Sequence, residues 1–172
     1  MDLSKFKYQF QPYTRKVIKE ARSNLTRGDH NTSKTLYDSL DWYFKASKNS
    51  FEFGFKHEDY GVFVDQGVKG RVNTTKAPDS PYRFKSKYAR IPAIKKWIRK
   101  RGFQFRTPKG RFMTYDSMAF LISRSIARDG LKATHFLSRP VNSANNRKLL
   151  MESLDNSIAE LVDNTIQSAI NN

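Results

Sequence analysis

Bond-making chemistry in this 172-residue chain would have to come from three histidines, sixteen carboxylates and no cysteine. His30, His57 and His135 are isolated from one another, and no H-x-x-x-H or H-x-H spacing puts two imidazoles on one metal. The lack of cysteine excludes disulfide scaffolds, thiolate zinc sites and a thiol nucleophile. The glycines at 54, 61, 67 and 70 fall among strand and turn residues, not in a phosphate-cradling loop. Pro78-Asp79 has the form of the opening of a restriction-type nuclease motif. The next carboxylate is Asp116, with no acid-x-Lys triplet near it, so the ligands for magnesium are too few. Neither an enzyme nor a bound cofactor or metal is expected.

Binding chemistry is better represented. The segment KKWIRKRGFQFRTPKGRF, Lys95 to Phe112, holds eight Lys or Arg, four aromatics and no carboxylate. It sits in a longer stretch, Ser80 to Tyr115, with twelve Lys or Arg and no acid, within a chain of formal net charge +16. Like charges at that density repel one another unless an anion is close, so a polyanionic neighbour is expected. The candidate basic surface is Lys85, Lys87, Arg90, Lys95, Lys96, Arg99, Lys100, Arg101, Arg106, Lys109 and Arg111. The aromatics carry less of this argument. Trp97 shares a helical face with Ile94 and Ile98 and is expected in the core. Phe103, Phe105 and Phe112 alternate with polar residues about Thr107–Gly110, as in a β-hairpin. The C-terminal stretch has the opposite sign, with Glu152, Asp155, Glu160 and Asp163 and no base from Leu149 onward. A chain basic in one region and acidic in another can pair head to tail with copies of itself.

The elements that position these groups follow from periodicity. Leu3, Phe6, Phe10, Tyr13, Val17, Ala21 and Leu25 recur at helical spacing, with Pro12 at a first turn or a kink. Phe51, Phe53 and Phe55 alternate on one face of a strand. Leu40–Ala46 reads as its hairpin partner across a turn at Lys48-Asn49-Ser50, and Tyr60–Gly67 as a third strand. Residues 68–90 form an irregular basic loop, of a length that is usually functional or disordered. A short helix starts near Ile91 with Pro92 in its first turn and stops at Gly102. Another, capped by Thr114 or Asp116 and closed by Gly130, turns Met118, Leu121, Ile122 and Ile126 inward. The last helix carries Leu150, Leu154, Ile158, Leu161, Val162, Ile166 and Ala169 on one stripe and runs for about 27 residues, or roughly 40 Å. A helix that long overhangs a small domain and has apolar surface to offer a partner. The fold class is α+β: one domain over residues 1–172, a small antiparallel sheet of about 3–5 strands packed by helices, and a long C-terminal helix. The opening MDLSKFKYQF has no unbroken apolar core and no window is apolar enough to span a bilayer, so neither a leader nor a membrane anchor is expected.

The order of these pieces resembles the tail-completion or neck proteins that join head to tail in tailed bacteriophages. The resemblance rests on Thr35-Leu36 through Ser39-Leu40 and on Tyr60-Gly61 through Val64-Asp65-Gln66-Gly67. It continues in the helix Ala119–Arg128, in Gly130-Leu131-Lys132, and in His135-Phe136-Leu137-Ser138-Arg139-Pro140. It covers about residues 1 to 170 and brings no catalytic residues. It implies a virion structural protein assembled in the host bacterial cytoplasm as a homo-oligomeric ring, a hexamer, around the DNA channel. Its partners would be copies of itself, the adjacent connector or adaptor, the tail-tube proteins and, transiently, genomic DNA. The resemblance and the overhanging helix nominate Phe136, Leu137, Arg139, Leu150, Leu154, Ile158 and Leu161 as subunit or ring interface. The rival expectation is a free-standing basic nucleic-acid-binding module or regulator.

Overall fold

The computed structural model describes residues 3–30, 32–47 and 50–170. After a 3₁₀ turn at Leu3–Tyr8 the elements are α1 (Gln11–Arg27), α2 (Thr35–Ser39), β1 (Asp41–Ala46), β2 (Phe51–Lys56), α3 (Gly61–Gln66) and β3 (Val68–Lys69). They continue with α4 (Ile91–Arg101), α5 (Tyr115–Asp129), β4 (Gly130–Leu131), α6 (Ser138–Asn142) and α7 (Ala144–Ile170). The mixture is α+β, with antiparallel pairing and a long C-terminal helix. The strands make two two-stranded ladders, β1–β2 and β3–β4. The chain divides into two compact units. One comprises residues 1–27, 35–58 and 136–172; the other comprises 28–34 and 59–135.

The first unit is organised by the alternation in β2. The register pairs Trp42 with Phe55, Phe44 with Phe53 and Ala46 with Phe51. Directly opposed residues share a face in an antiparallel pair, so five aromatics from two strands make one apolar surface. Phe10 stacks on Phe53 at 4.7 Å between ring centroids, Phe6 meets Phe51 edge-on at 6.2 Å, and Tyr13 meets Phe53 at 6.1 Å. On the opposite face Tyr43 lies over Gly54, where a Cβ would come 2.8 Å from the end of its ring and require the ring to shift. The turn residues Lys48 and Asn49 lie outside the described residues. The hairpin is closed beside them by Ser47 N–H donating to the Ser50 carbonyl at 2.8 Å.

The apolar run from Leu3 to Leu25 is interrupted between Tyr8 and Gln11 and is not one helix. Pro12 has no N–H to give and its ring conflicts with the carbonyl four residues earlier, so a new helix starts with proline in its first turn. From there Tyr13, Val17, Ala21 and Leu25 are buried at the expected spacing. Leu150, Leu154 and Leu161 of α7 pack, half-buried, against the Phe6–Phe10 cluster. Asn146 is fully buried and donates through Nδ2 to Glu20 Oε2 and to the Pro140 carbonyl, both at 2.9 Å, tying α7 to α1 and α6.

In the second unit the segment expected as a third strand is helix α3. Gly61 and Asp65 are its buried positions, one turn apart, and neither is apolar, so the hydrophobic pattern could not reveal the helical period. Its last carbonyls are met from residues 134 and 135: Thr134 N–H donates to Val64 and Asp65, and His135 N–H to Asp65. Helix α4 has Pro92 in its first turn and ends at Gly102 in the left-handed region (φ 69°), whose N–H returns to Arg99 and Ile98. Helix α5 is capped by Thr114, whose side chain accepts from Ser117 N–H at 3.2 Å. Ile98, Met118 and Ala119 are the buried centre between α4 and α5, with Ile91, Ile94, Met113 and Ile122 around them. Leu121, expected inward, is exposed, and Ser123 and Ala127 hold the buried positions of the last turns.

Candidate binding surfaces

The basic surface is built on α4 and the hairpin after it. The Ile98 face of α4 packs on Met118 and Ala119, which leaves Lys96, Arg99 and Lys100 to solvent. The hairpin is held by Thr107 N–H to Arg111 O and Met113 N–H to Phe105 O, each 2.8 Å, with a single antiparallel bridge between Arg106 and Phe112. Arg106 donates to the Gly110 carbonyl at 3.0 Å and lies 4.0 Å over the Phe112 ring, while Lys109 and Arg111 are exposed. Lys85, Lys87 and Arg90 are exposed on the preceding loop.

Two candidate cations are not free. Lys95 Nζ lies 2.5 Å from Asp116 Oδ1, and Arg101 Nη1 lies 2.5 Å from Asp29 Oδ2 while also donating to the Asp29 carbonyl. Asp29 comes from a segment remote in sequence. The run therefore lacks carboxylates along the chain but not in space. His30, next to Asp29, is held below the ordinary imidazole range, chiefly by desolvation and secondarily by Arg101, with Asp29 opposing. Trp97, expected in the core, is exposed and touches Phe103 edge-on at 5.1 Å. Phe103, Phe105 and Phe112 are exposed as well. The face therefore mixes cations with four accessible aromatic rings.

The expected interface residues separate into two sets. Phe136 is fully buried against His57, and its carbonyl accepts from Asn24 Nδ2 at 3.2 Å. It belongs to the core of its unit, not to a contact surface. Leu137 is half-buried and Arg139 exposed. On α7, Leu150, Leu154 and Leu161 turn toward the aromatic cluster, whereas Ile158, beside them, is exposed. Ile158 lies in a row with Met151, Val162, Ile166 and Ile170, all between 48 and 76 % exposed. At about 100° per residue, Met151, Ile158, Val162 and Ile166 fall within an arc of about 80°, next to the buried face. Glu152, Asp155 and Asp163 stand within or beside that arc.

Two hollows accompany these surfaces. One of about 620 Å³ in the first unit is bordered by Arg15, Lys19, Arg22, Tyr37 and Trp42. Arg22 there donates to the Tyr37 and Leu40 carbonyls at 3.1 and 3.0 Å and so holds α2 to α1. The other, about 430 Å³ in the second unit, brings Arg71, Arg124 and Arg128 to Lys87 and Tyr88. Of these cations only Lys87 stood out in the sequence. The spacing of Arg124 and Arg128, one helical turn apart, was the available signal for the rest.

Among the described residues no cluster of three or more His, Asp or Glu side chains has the arrangement of a metal site, and no helix is long and apolar enough to cross a membrane. No family model, curated protein or solved structure matches the chain.

Proposed function

We propose that the chain is a structural protein of a tailed-phage virion that assembles head to tail into a ring at the head–tail junction. Placement at that junction rests on the resemblance in motif order described above. Assembly rests on one observation: the exposed aliphatic row of α7. Five large apolar side chains exposed along one helix, four of them within one arc, make a row of the kind that marks an interaction site, interrupted by Asp155. Its rim is acidic. The α4–hairpin face of another copy offers the complement, with exposed rings among Lys96, Arg99, Lys100 and Arg111. Two different, mutually complementary patches on one chain give heterologous contacts, which close into rings when the rotation per subunit permits. Pairing α7 in parallel with itself would oppose like charges. The reading therefore assigns the basic face chiefly to an acidic protein surface, with the threaded DNA as a transient contact.

Sedimentation over a range of concentration and salt tests this. The wild-type chain is expected to sediment as a multi-subunit species that loosens as salt rises, because the rim contacts are charged. Ile158→Asp with Ile166→Asp should leave the thermal melt in place, since both residues are exposed, and should return the protein to single-chain mass. A wild type of single-chain mass at every concentration, or a double variant that assembles like wild type, would overturn the reading.

A further inference from the structure

The loop from Gly70 to Ala89 has no regular element, yet it is fastened along its length. Lys69 N–H donates to Tyr82 O at 2.8 Å and Phe84 N–H returns to Lys69 O at 2.9 Å. Arg71 N–H donates to Ala127 O at 2.8 Å, and Val72 and Asn73 N–H share the Arg128 carbonyl at 3.1 Å each. At the other end Ser123 Oγ donates to the Ala89 carbonyl at 2.7 Å, and Ala89 N–H to Ser123 O at 3.3 Å. The two ends of the loop are therefore tied to successive turns at the C-terminal end of α5. The hollow of about 430 Å³ lies there, bordered by Arg71, Val72, Lys87, Tyr88, Arg124 and Arg128.

The charge in this hollow is not balanced from within. Arg128 is committed to Asp129, donating from Nε at 2.8 Å and Nη2 at 2.7 Å, and Asn73 Nδ2 completes the same carboxylate at 2.6 Å. Arg71, Lys87 and Arg124 have no carboxylate partner among the described residues. The dipole of α5 favours cations in its last turns, which accounts for Arg124 and Arg128. It does not account for Arg71 and Lys87, which the loop brings to the same place. Three unanswered cations around one concavity raise the local concentration of anions.

The second feature of the hollow is aromatic. Tyr88 on its border is 43 % exposed and packs against Phe120, itself 40 % exposed, with ring centroids 5.3 Å apart. A run of acidic side chains has no ring to stack on Tyr88, whereas in a nucleic-acid strand every base can stack. The volume is that of a small-ligand site and accommodates about one nucleotide, not a duplex.

We infer that this hollow is a single-strand nucleic-acid site, in which Arg71, Lys87 and Arg124 hold backbone phosphates and Tyr88 stacks a base. It goes beyond the ring assembly and does not depend on it, since neither α7 nor α4 takes part and only Lys87 also belongs to the candidate basic surface. The test is fluorescence anisotropy with a labelled oligothymidylate and a duplex of the same length, at low and moderate salt, on the full chain. Wild type should prefer the single strand. Arg71→Ala with Arg124→Ala should weaken single-strand binding more than tenfold and reduce the salt slope by about 1.4. Tyr88→Ala should weaken binding about fivefold or more with the slope unchanged, because stacking releases no counterions. Arg124→Lys should retain most of the slope, and thermal melts should confirm that each variant is folded. Equal single-strand affinity in wild type and the double arginine variant would overturn the assignment. So would polyglutamate competing as well as the oligonucleotide while Tyr88→Ala changes nothing, which would give the hollow to an acidic protein.

Discussion

The two units are held together by different means. In the first, an aromatic hairpin face is covered by Phe6, Phe10 and Tyr13, so that ring packing and apolar burial dominate. In the second, the buried apolar centre is small, Ile98 with Met118 and Ala119, and long irregular stretches are held by backbone hydrogen bonds to helix ends. The comparison teaches where partner-facing chemistry can be carried. A unit with its rings turned inward keeps most of its aromatic surface for itself, and its main exposed apolar feature among the described residues is the outer row of α7. A unit held by its backbone leaves its side chains free, and it displays cations beside exposed rings, Trp97, Phe103, Phe105 and Phe112 on the α4–hairpin face and Tyr88 and Phe120 by the hollow.

The largest expected effect that tests this contrast is in the aromatic core. Phe10 is fully buried and contacts Phe44, Phe51 and Phe53. Phe10→Ala should destabilise the first unit by about 3–5 kcal/mol, from lost transfer energy and the cavity left behind. The chain has two tryptophans, Trp42 in the first unit and Trp97 in the second, so single Trp→Phe backgrounds give each unit its own fluorescence signal. In denaturant, Phe10→Ala should move the Trp42 transition much further than the Trp97 transition. Equal movement of both would mean that one cooperative core serves the whole chain, and the contrast would fall.

The matching change in the second unit acts on backbone. Gly130 has φ 81°, and a Cβ there would stand 2.3 Å from the Val68 carbonyl oxygen and 2.6 Å from Gly70 N. Backbone atoms cannot rotate away as a flexible side chain can. Gly130→Ala should therefore cost about 2 kcal/mol or more, from the left-handed conformation and the forced separation of β3 and β4. The Trp97 transition should carry the change. It should also loosen the segment from Arg71 to Asn73, with faster amide exchange at Arg71 and Val72 than at the buried turns of α1.

The same contrast explains what could be read from the sequence. Period-two aromatics in β2, Pro92 and Gly102 around α4, and Thr114 and Gly130 around α5 are local signals, and each element formed where its signal lay. Helix α3 was missed because its buried residues are Gly61 and Asp65, which carry no hydrophobic signature. The outward turn of Trp97 and Leu121 was missed for another reason. Periodicity tells which residues share a face, but the width of the neighbour decides how much of that face is covered. The basic surface was legible as composition, while its neutralised members were not, because Asp29 and Asp116 reach Arg101 and Lys95 only through the fold. The hollow of Arg71, Arg124 and Arg128 required a loop to be tied to a helix, which no local pattern announces.

The smallest effect sharpens the comparison most, because Thr114 is not itself assigned to a binding surface although it follows the basic hairpin directly. Thr114 has extended backbone angles (φ −68°, ψ 153°), and its Oγ1 accepts from Ser117 N–H, one of the N–H groups that the first turn of α5 leaves unpaired. Asp116 follows in that turn, well placed for the helix dipole, and its exposed contact with Lys95 adds little. Thr114→Ala should cost about 1 kcal/mol, the typical value for a lost N-cap, read as an earlier Trp97 transition with Trp42 unmoved. Thr114→Ser should restore most of it, since the hydroxyl is kept. Oligomer mass and oligonucleotide binding should both match wild type in Thr114→Ala. If either changed along with the small loss of stability, the second unit would be adjusting its surface through the cap, and its fold and its binding chemistry would not be separable.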